Sequence, residues 1–166
     1  MEKYLIADFD KYEEIDDRNI GTSISLWEPN CIEAENGHII MYMRDSHKPF
    51  MNVAESYDYG RTWTHQGNTS LPNGNSKIDM FKINSTIYLV ANISQTLTWD
   101  GRTKLQILSS RDNAKSWNFV CYVSEPDEHF FYPHSYVDYE KKLVYLAYEN
   151  ARQHYINVYT FEELGV

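Results

Sequence analysis

Ser56-Tyr-Asp58-Tyr-Gly60-Arg-Thr62-Trp63 constrains what this chain can fold into more than any other stretch. It follows an apolar-rich run at residues 50–54, and an aspartate and a glycine two apart describe a hairpin turn. The Asp58 carboxylate can accept backbone N–H bonds across the turn, Gly60 can take a positive φ, and Trp63 can fold back as a plug. A second copy lies at Ser110-Arg-Asp112-Asn-Ala114-Lys-Ser116-Trp117, with alanine for the glycine and serine for the threonine. Two such turns in one chain imply a repeated β unit.

The strand pattern follows the same repeat. Residues 29–33, 38–44 and 50–56 read as strands, with Asn36-Gly37 as a hairpin turn between the first two, and a fourth strand begins at 62–65. After a loop at 71–75, the order recurs at 77–83, 87–93, 104–109 and 117–123. A third pass has 133–139, 143–149 and 155–161, one strand short, and residues 4–8 could supply the missing strand. Four antiparallel strands in succession make one propeller blade. The expected fold is therefore all-β, with three four-stranded antiparallel blades at about 27–68, 69–124 and 125–166, and residues 1–26 as an N-terminal connector.

Composition narrows the function classes. Aromatic residues make up 15%, including 14 Tyr and 4 Trp, which suits many short strands and argues against a helical bundle. A net charge of −9 argues against a nucleic-acid partner. No window has the length and apolarity of a membrane span, and the N-terminus lacks the pattern of a signal peptide, so no compartment can be read from the chain. Cys31 and Cys121 do not form a zinc or disulfide pattern and sit in apolar-rich runs, so buried thiols are expected. His47, His129, His134 and His154 lack ligand spacing, and no metal or cofactor is expected.

The Ser-x-Asp-x-Gly-x-Thr-Trp pattern resembles the Asp-box of sialidases and their neuraminidase-repeat relatives. In that family the box residues Ser56, Asp58, Gly60, Thr62, Trp63, Ser110, Asp112 and Trp117 are structural. The resemblance extends from Trp27 to residue 164. The segment from Trp27 through Glu28 and Asn36-Gly37 to Arg44-Asp-Ser46 is similar to the part of exo-sialidases that runs from the catalytic glutamate to the second arginine of the sialate-binding triad. Glu28 then stands for the glutamate and Arg44 for the arginine. Arg102 precedes the second box as the third triad arginine does, Tyr132 matches the nucleophilic tyrosine, and Glu149 matches the glutamate that braces the first arginine.

The residue types suit this chemistry. A sialic acid carries a carboxylate on its reacting carbon, and guanidinium groups recognise carboxylates bidentately. A neutral tyrosine, unlike a carboxylate, is not repelled by that charge, and a glutamate can draw off its proton. A covalent intermediate implies retention of configuration. Read one at a time, these residues have ordinary explanations: Arg44 could pair with Asp45 at the surface, Arg102 could be a solvated loop arginine, and Tyr132 could be a core aromatic. Their joint order along the repeat is what the resemblance adds.

The resemblance implies the C-terminal half of a six-bladed sialidase-like propeller. The first triad arginine and the acid/base aspartate belong to the N-terminal blades of the family and have no counterpart here. Three blades do not close a ring, so either a missing N-terminal half or a second copy in a homodimer would complete it. Tyr132-Pro133 and Leu71-Pro-Asn-Gly-Asn-Ser76 are closer to the broader neuraminidase-repeat family, whose members need not cleave sialic acid. Two functions follow: a sialidase-like hydrolase of sialic acid or a related acidic sugar, weak or inactive alone, or a non-catalytic carbohydrate-binding or assembly module.

Overall fold

The computed structural model describes residues 26–166, and the closing strand expected at residues 4–8 lies outside them. The described residues form eleven strands: β1 (Leu26–Glu35), β2 (His38–Asp45), β3 (Phe50–Ser56), β4 (Thr64–Pro72), β5 (Asp79–Ile83), β6 (Thr86–Asn92), β7 (Leu105–Ser110), β8 (Asn118–Tyr122), β9 (Phe131–Asp138), β10 (Leu143–Glu149) and β11 (His154–Thr160). They make three antiparallel sheets, ordered β1-β2-β3-β4, β5-β6-β7-β8 and β11-β10-β9. The fold is all-β, as expected.

The strands follow the expected pattern with two differences. β1 starts earlier than residue 29, because a bulge lets the strand run through Glu28-Pro29 without losing its pairing to β2. β4 runs on to Pro72, which pairs with Phe50 at the strand's end, where a missing N–H costs the ladder little.

β5 packs between β1 and β9, so the first strands of the three sheets lie side by side. Asp79 on β5 fixes this arrangement: it is 3% exposed and accepts bonds from Asn30 Nδ2 on β1 (3.1 Å), from the Ser135 amide on β9 (2.8 Å) and from the Ser135 hydroxyl.

β5, β6 and β7 of the second sheet are buried on both faces, and the alternation of their side chains explains how. On β6, Ile87, Leu89 and Ala91 join Ile40, Tyr42 and Met51 in a core against the first sheet. Tyr88 and Val90 point the other way, into a core with Phe81, Ile107, Val144 and Leu146 against the third sheet. A strand buried on both sides loses the polar alternation of a half-exposed one, and every residue of β6 is buried. The third sheet differs. Tyr136, Ile156 and Val158 on its far face are exposed.

The cysteines depart from expectation. Asn30, Ile32 and Ala34 face the second sheet, so the period of two turns Cys31 outward, where it is exposed, and Cys121 is half-buried at a core edge.

Candidate functional site

Both Asp-box turns form from their own side chains. In the first, Ser56 Oγ accepts from the Gly60 amide (2.8 Å), Asp58 accepts from the Thr62 amide (2.8 Å) and hydroxyl (2.7 Å), and Trp63 Nε1 donates to the Gly60 carbonyl (3.0 Å). The second repeats the serine and aspartate bonds with Ser110, Ala114, Asp112 and Ser116. The bonds from Thr62 hold the Asp58 carboxyl at about 2, and those from Ser116 hold Asp112 at about 2. These residues shape turns at one end of their sheets. Arg44 lies at the opposite end, because Ser56 pairs with Ile39 at the start of β2 and Arg44 falls near its finish.

Glu28 and Tyr132 occupy matching places. Each lies in a bulge near the start of the first strand of its sheet, β1 or β9, and each precedes a proline. Each takes a left-handed backbone, φ 52° at Glu28 and φ 55° at Tyr132. For non-glycine residues this conformation is strained, and such strain collects at functional sites. Between them, just ahead of β5, Asn75 has φ 53°.

Asn75 is where the arginines meet. Arg44 Nη1 and Arg102 Nη2 both donate to its carbonyl oxygen, each at 3.4 Å. Arg44 comes from β2, and Arg102 closes a short 3-10 turn, Trp99–Arg102. Two glycines make the approach possible. A Cβ on Gly74 would stand 1.9 Å from the Gly101 carbonyl, and one on Gly101 would stand 1.9 Å from that of Thr96.

The surroundings of the arginines are acidic on one side and aromatic on the other. Glu28 Oε2 lies 3.5 Å from Arg44 Nη1, an ion pair too loosely aligned to count as a hydrogen bond, and both side chains are largely buried. Arg44 pairs with Glu28 and not with neighbouring Asp45, whose carboxylate instead takes the amides of His47 and Lys48 and the side chains of Asn52 and Asn68. The Arg102 guanidinium sits 4.9 Å from the Phe131 ring centroid and 5.2 Å from those of Trp99 and Tyr132. Glu28 Oε2, Arg44 Nε and Asn75 Oδ1 are buried without a hydrogen bond, so the cluster holds unspent donors and acceptors.

Of the residues expected from sequence, Glu28 and Arg44 are thus in contact, as are Arg102 and Tyr132, and the Asn75 carbonyl joins the two pairs. Glu149 lies close by, pairing in register with Phe131, but its carboxylate lies 3.2 Å from His154 Nδ1 and meets no arginine among the described residues. Three participants escaped the sequence reading. Asn75 acts through its backbone, which no side-chain pattern reveals. Lys77 donates to the Pro133 carbonyl beside Tyr132. Trp99 walls the site, stacked on His129 and edge-on to Phe131; its place ahead of Asp100-Gly101-Arg102 was the available signal.

The family model for the BNR repeat-like domain matches residues 6–144. Among solved structures, Trypanosoma rangeli sialidase in complex with 2,3-difluorosialic acid, a covalent intermediate, is similar with TM-score 0.66 and 16% identity, over 86% of this chain and 24% of that one. A Hadza microbial sialidase gives TM-score 0.67 and 20% identity, over 82% of this chain and 28% of that one. A family 117 glycoside hydrolase from the marine bacterium Zobellia galactanivorans gives TM-score 0.58 and 15% identity, over 82% of this chain and 52% of that one. The chain spans about a quarter of the length of the sialidases it matches. A search of curated proteins finds no match. The chain belongs to the BNR repeat-like domain family and is built on the fold of the sialidase β-propellers.

Proposed function

We propose that this chain carries part of a sialidase-like glycosidase site, in which Arg44 and Arg102 clamp the carboxylate of a sialic acid or related acidic sugar. The observation that carries this reading is the meeting of the two guanidiniums on the Asn75 carbonyl. A carbonyl there supplies part of the negative charge that a substrate carboxylate would supply in full, and buried guanidiniums gain more from the full charge. Phe131, Tyr132 and Trp99 hold the Arg102 plane so that little rotamer freedom is lost on binding.

Tyr132 acts as the nucleophile. Its hydroxyl oxygen attacks the anomeric carbon, the bond to the aglycone breaks with its electron pair, and Glu28 takes the phenolic proton. Water then attacks the glycosyl-tyrosine on the opposite face, the tyrosine oxygen leaves and recovers a proton, and configuration is retained. A group that protonates the departing aglycone oxygen, and a further arginine for the carboxylate, would come from outside the residues assigned here. On this reading the three sheets are half of a six-bladed ring, completed by an N-terminal half or a second copy, and hydrolysis by the chain alone is weak.

One observation favours a binding role without turnover. The Glu28 carboxylate is engaged with the Arg44 guanidinium, 3.5 Å away. A fluorogenic sialoside separates the two readings. Release of the fluorophore by the purified chain, lost in Tyr132→Phe, supports catalysis. Saturable sialoside binding without release supports the binding module, and release that survives Tyr132→Phe removes that residue from the reaction.

A further inference from the structure

A cavity of about 290 Å³ lies between the first sheet and the second Asp-box turn, running along β2 from His38 at the end away from the arginines to Tyr42, two residues before Arg44. His38, which lines it, begins β2, and Arg44 falls six residues along the same strand, roughly 20 Å away at the rise of a β-strand. Nothing in the chemistry assigned to the arginine cluster involves this cavity.

Its most telling wall is Tyr57. The ring is 69% exposed, which is costly for an aromatic, yet it is clamped in place. It stacks on His38 with ring centroids 4.4 Å apart and planes 8° from parallel, and its hydroxyl donates to Glu55 Oε2 at 2.6 Å. The same Glu55 oxygen lies 2.7 Å from His38 Nε2. Two side chains, His38 and Glu55, therefore fix one flat ring, with one face on the imidazole and the other unspent. Trp117 lines the cavity from the second box, tilted against Tyr42 at 6.2 Å, and Ile40, Val53 and Leu71 add apolar lining.

The polar lining sets the charge and shape of the guest. The Ser70 hydroxyl and the Asn113 side-chain oxygen supply uncharged polar groups, Thr69 Oγ1 being bonded to Leu71 and Asn113 Nδ2 to Glu35, while Glu55 is offset by Lys115, so the cavity favours neither anion nor cation strongly. A guest with one apolar face for the rings, a border of hydroxyls for the polar lining and no net charge is an uncharged pyranose. The volume falls near the lower end for small-molecule sites, roughly 300–1,000 Å³, which suits one sugar ring and not a chain of them. Locking the platform before the guest arrives lowers the ordering cost of binding.

We propose that the cavity framed by Tyr57, His38, Glu55 and Trp117 is a second carbohydrate site, one that takes a single uncharged pyranose at the edge of the first sheet opposite the arginine cluster. Such a site would let the protein hold a neutral unit of a glycan independently of the acidic terminus. It does not depend on the proposed role of the arginines.

Saturation-transfer NMR on the full 166-residue chain with methyl β-galactopyranoside, methyl β-glucopyranoside and methyl α-mannopyranoside provides the test. At least one glycoside is expected to saturate in the millimolar range, to lose about tenfold or more in affinity in Tyr57→Ala, and to bind Arg44→Ala as it binds the parent chain. Ser70→Trp, which fills the cavity from an exposed position, should abolish the signal without lowering the melting temperature. Absence of saturable binding by all three glycosides, or binding unchanged in both Tyr57→Ala and Ser70→Trp, overturns the proposal.

Discussion

Arg44 from β2 and Arg102 from the 3-10 turn between β6 and β7 donate to the same oxygen, the Asn75 carbonyl, each at 3.4 Å. Neither reaches it through a sheet ladder. The meeting depends on two loops whose backbones touch at Gly74 and Gly101, where a Cβ at either position would lie 1.9 Å from a carbonyl oxygen. Gly74→Ala must therefore push the loops apart, since its Cβ would stand 1.9 Å from the Gly101 carbonyl oxygen across the contact. It is expected to weaken binding of an acidic sugar by about tenfold or more, with Gly165→Ala as a control whose Cβ meets nothing within 4 Å and whose φ of 83° carries only local backbone strain. Isothermal titration of the two variants compares them.

The second Asp-box keeps a backbone that its sequence fits poorly. Ala114 stands at φ 61°, where the first box has Gly60 at φ 82°. A left-handed conformation costs an L-residue roughly 1–2 kcal/mol, partly offset by the greater unfolded freedom of glycine, about 0.4–1 kcal/mol. Ala114→Gly should therefore raise stability by up to about 1 kcal/mol and Gly60→Ala should lower it by about as much. An added Cβ at Gly60 meets only ordinary contacts with Ile39 and Trp63, so the backbone effect is isolated. Denaturant unfolding of the two variants should give shifts of opposite sign.

The same turns set a dependence on acid. Asp58 and Asp112 titrate at about 2 in the folded chain, lowered chiefly by bonds from Thr62 and Ser116, against about 3.9 when unfolded. Their contribution is fully present above about pH 4, declines as pH falls, and is lost below about pH 2. Thermal melts of the parent chain should fall more steeply between pH 4 and pH 2 than those of the Asp58→Asn, Asp112→Asn double variant. Parallel curves would contradict this.

Asp79 ties three sheets together through Asn30 and Ser135 while 3% exposed. Asp79→Ala strands those donors and should cost about 3 kcal/mol, whereas Ser135→Ala keeps the amide bond and should cost about 1 kcal/mol. Urea unfolding measures both. Equal costs would mean that Asp79 is not the common anchor.

Much of this arrangement was legible in the sequence because its signals are local. Asn36-Gly37 and the two boxes specify turns by residue chemistry alone, and alternating apolar residues between them specify strands. Glu28, Arg44, Arg102 and Tyr132, singled out by their order along the repeat, do come together around the Asn75 carbonyl. What was hidden depends on backbone shape or on neighbours far along the chain. The bulges at Glu28-Pro29 and Tyr132-Pro133 arise from pairing with β2 and β10, and the prolines alone did not announce them. The Asn75 carbonyl has no side-chain signature. Cys31 was misplaced because an apolar-rich run does not say which of its alternate residues faces the neighbouring sheet.

If Arg44 and Arg102 clamp a carboxylate, N-acetylneuraminic acid and its methyl ester bind differently when each is titrated into the full chain. The clamp predicts saturable binding of the free acid that weakens by about tenfold or more in the ester and in Arg102→Ala, since a hydrogen bond to a charged group contributes roughly 1.5–3 kcal/mol. Equal binding of acid and ester, or binding of the acid unchanged in Arg102→Ala, would contradict it.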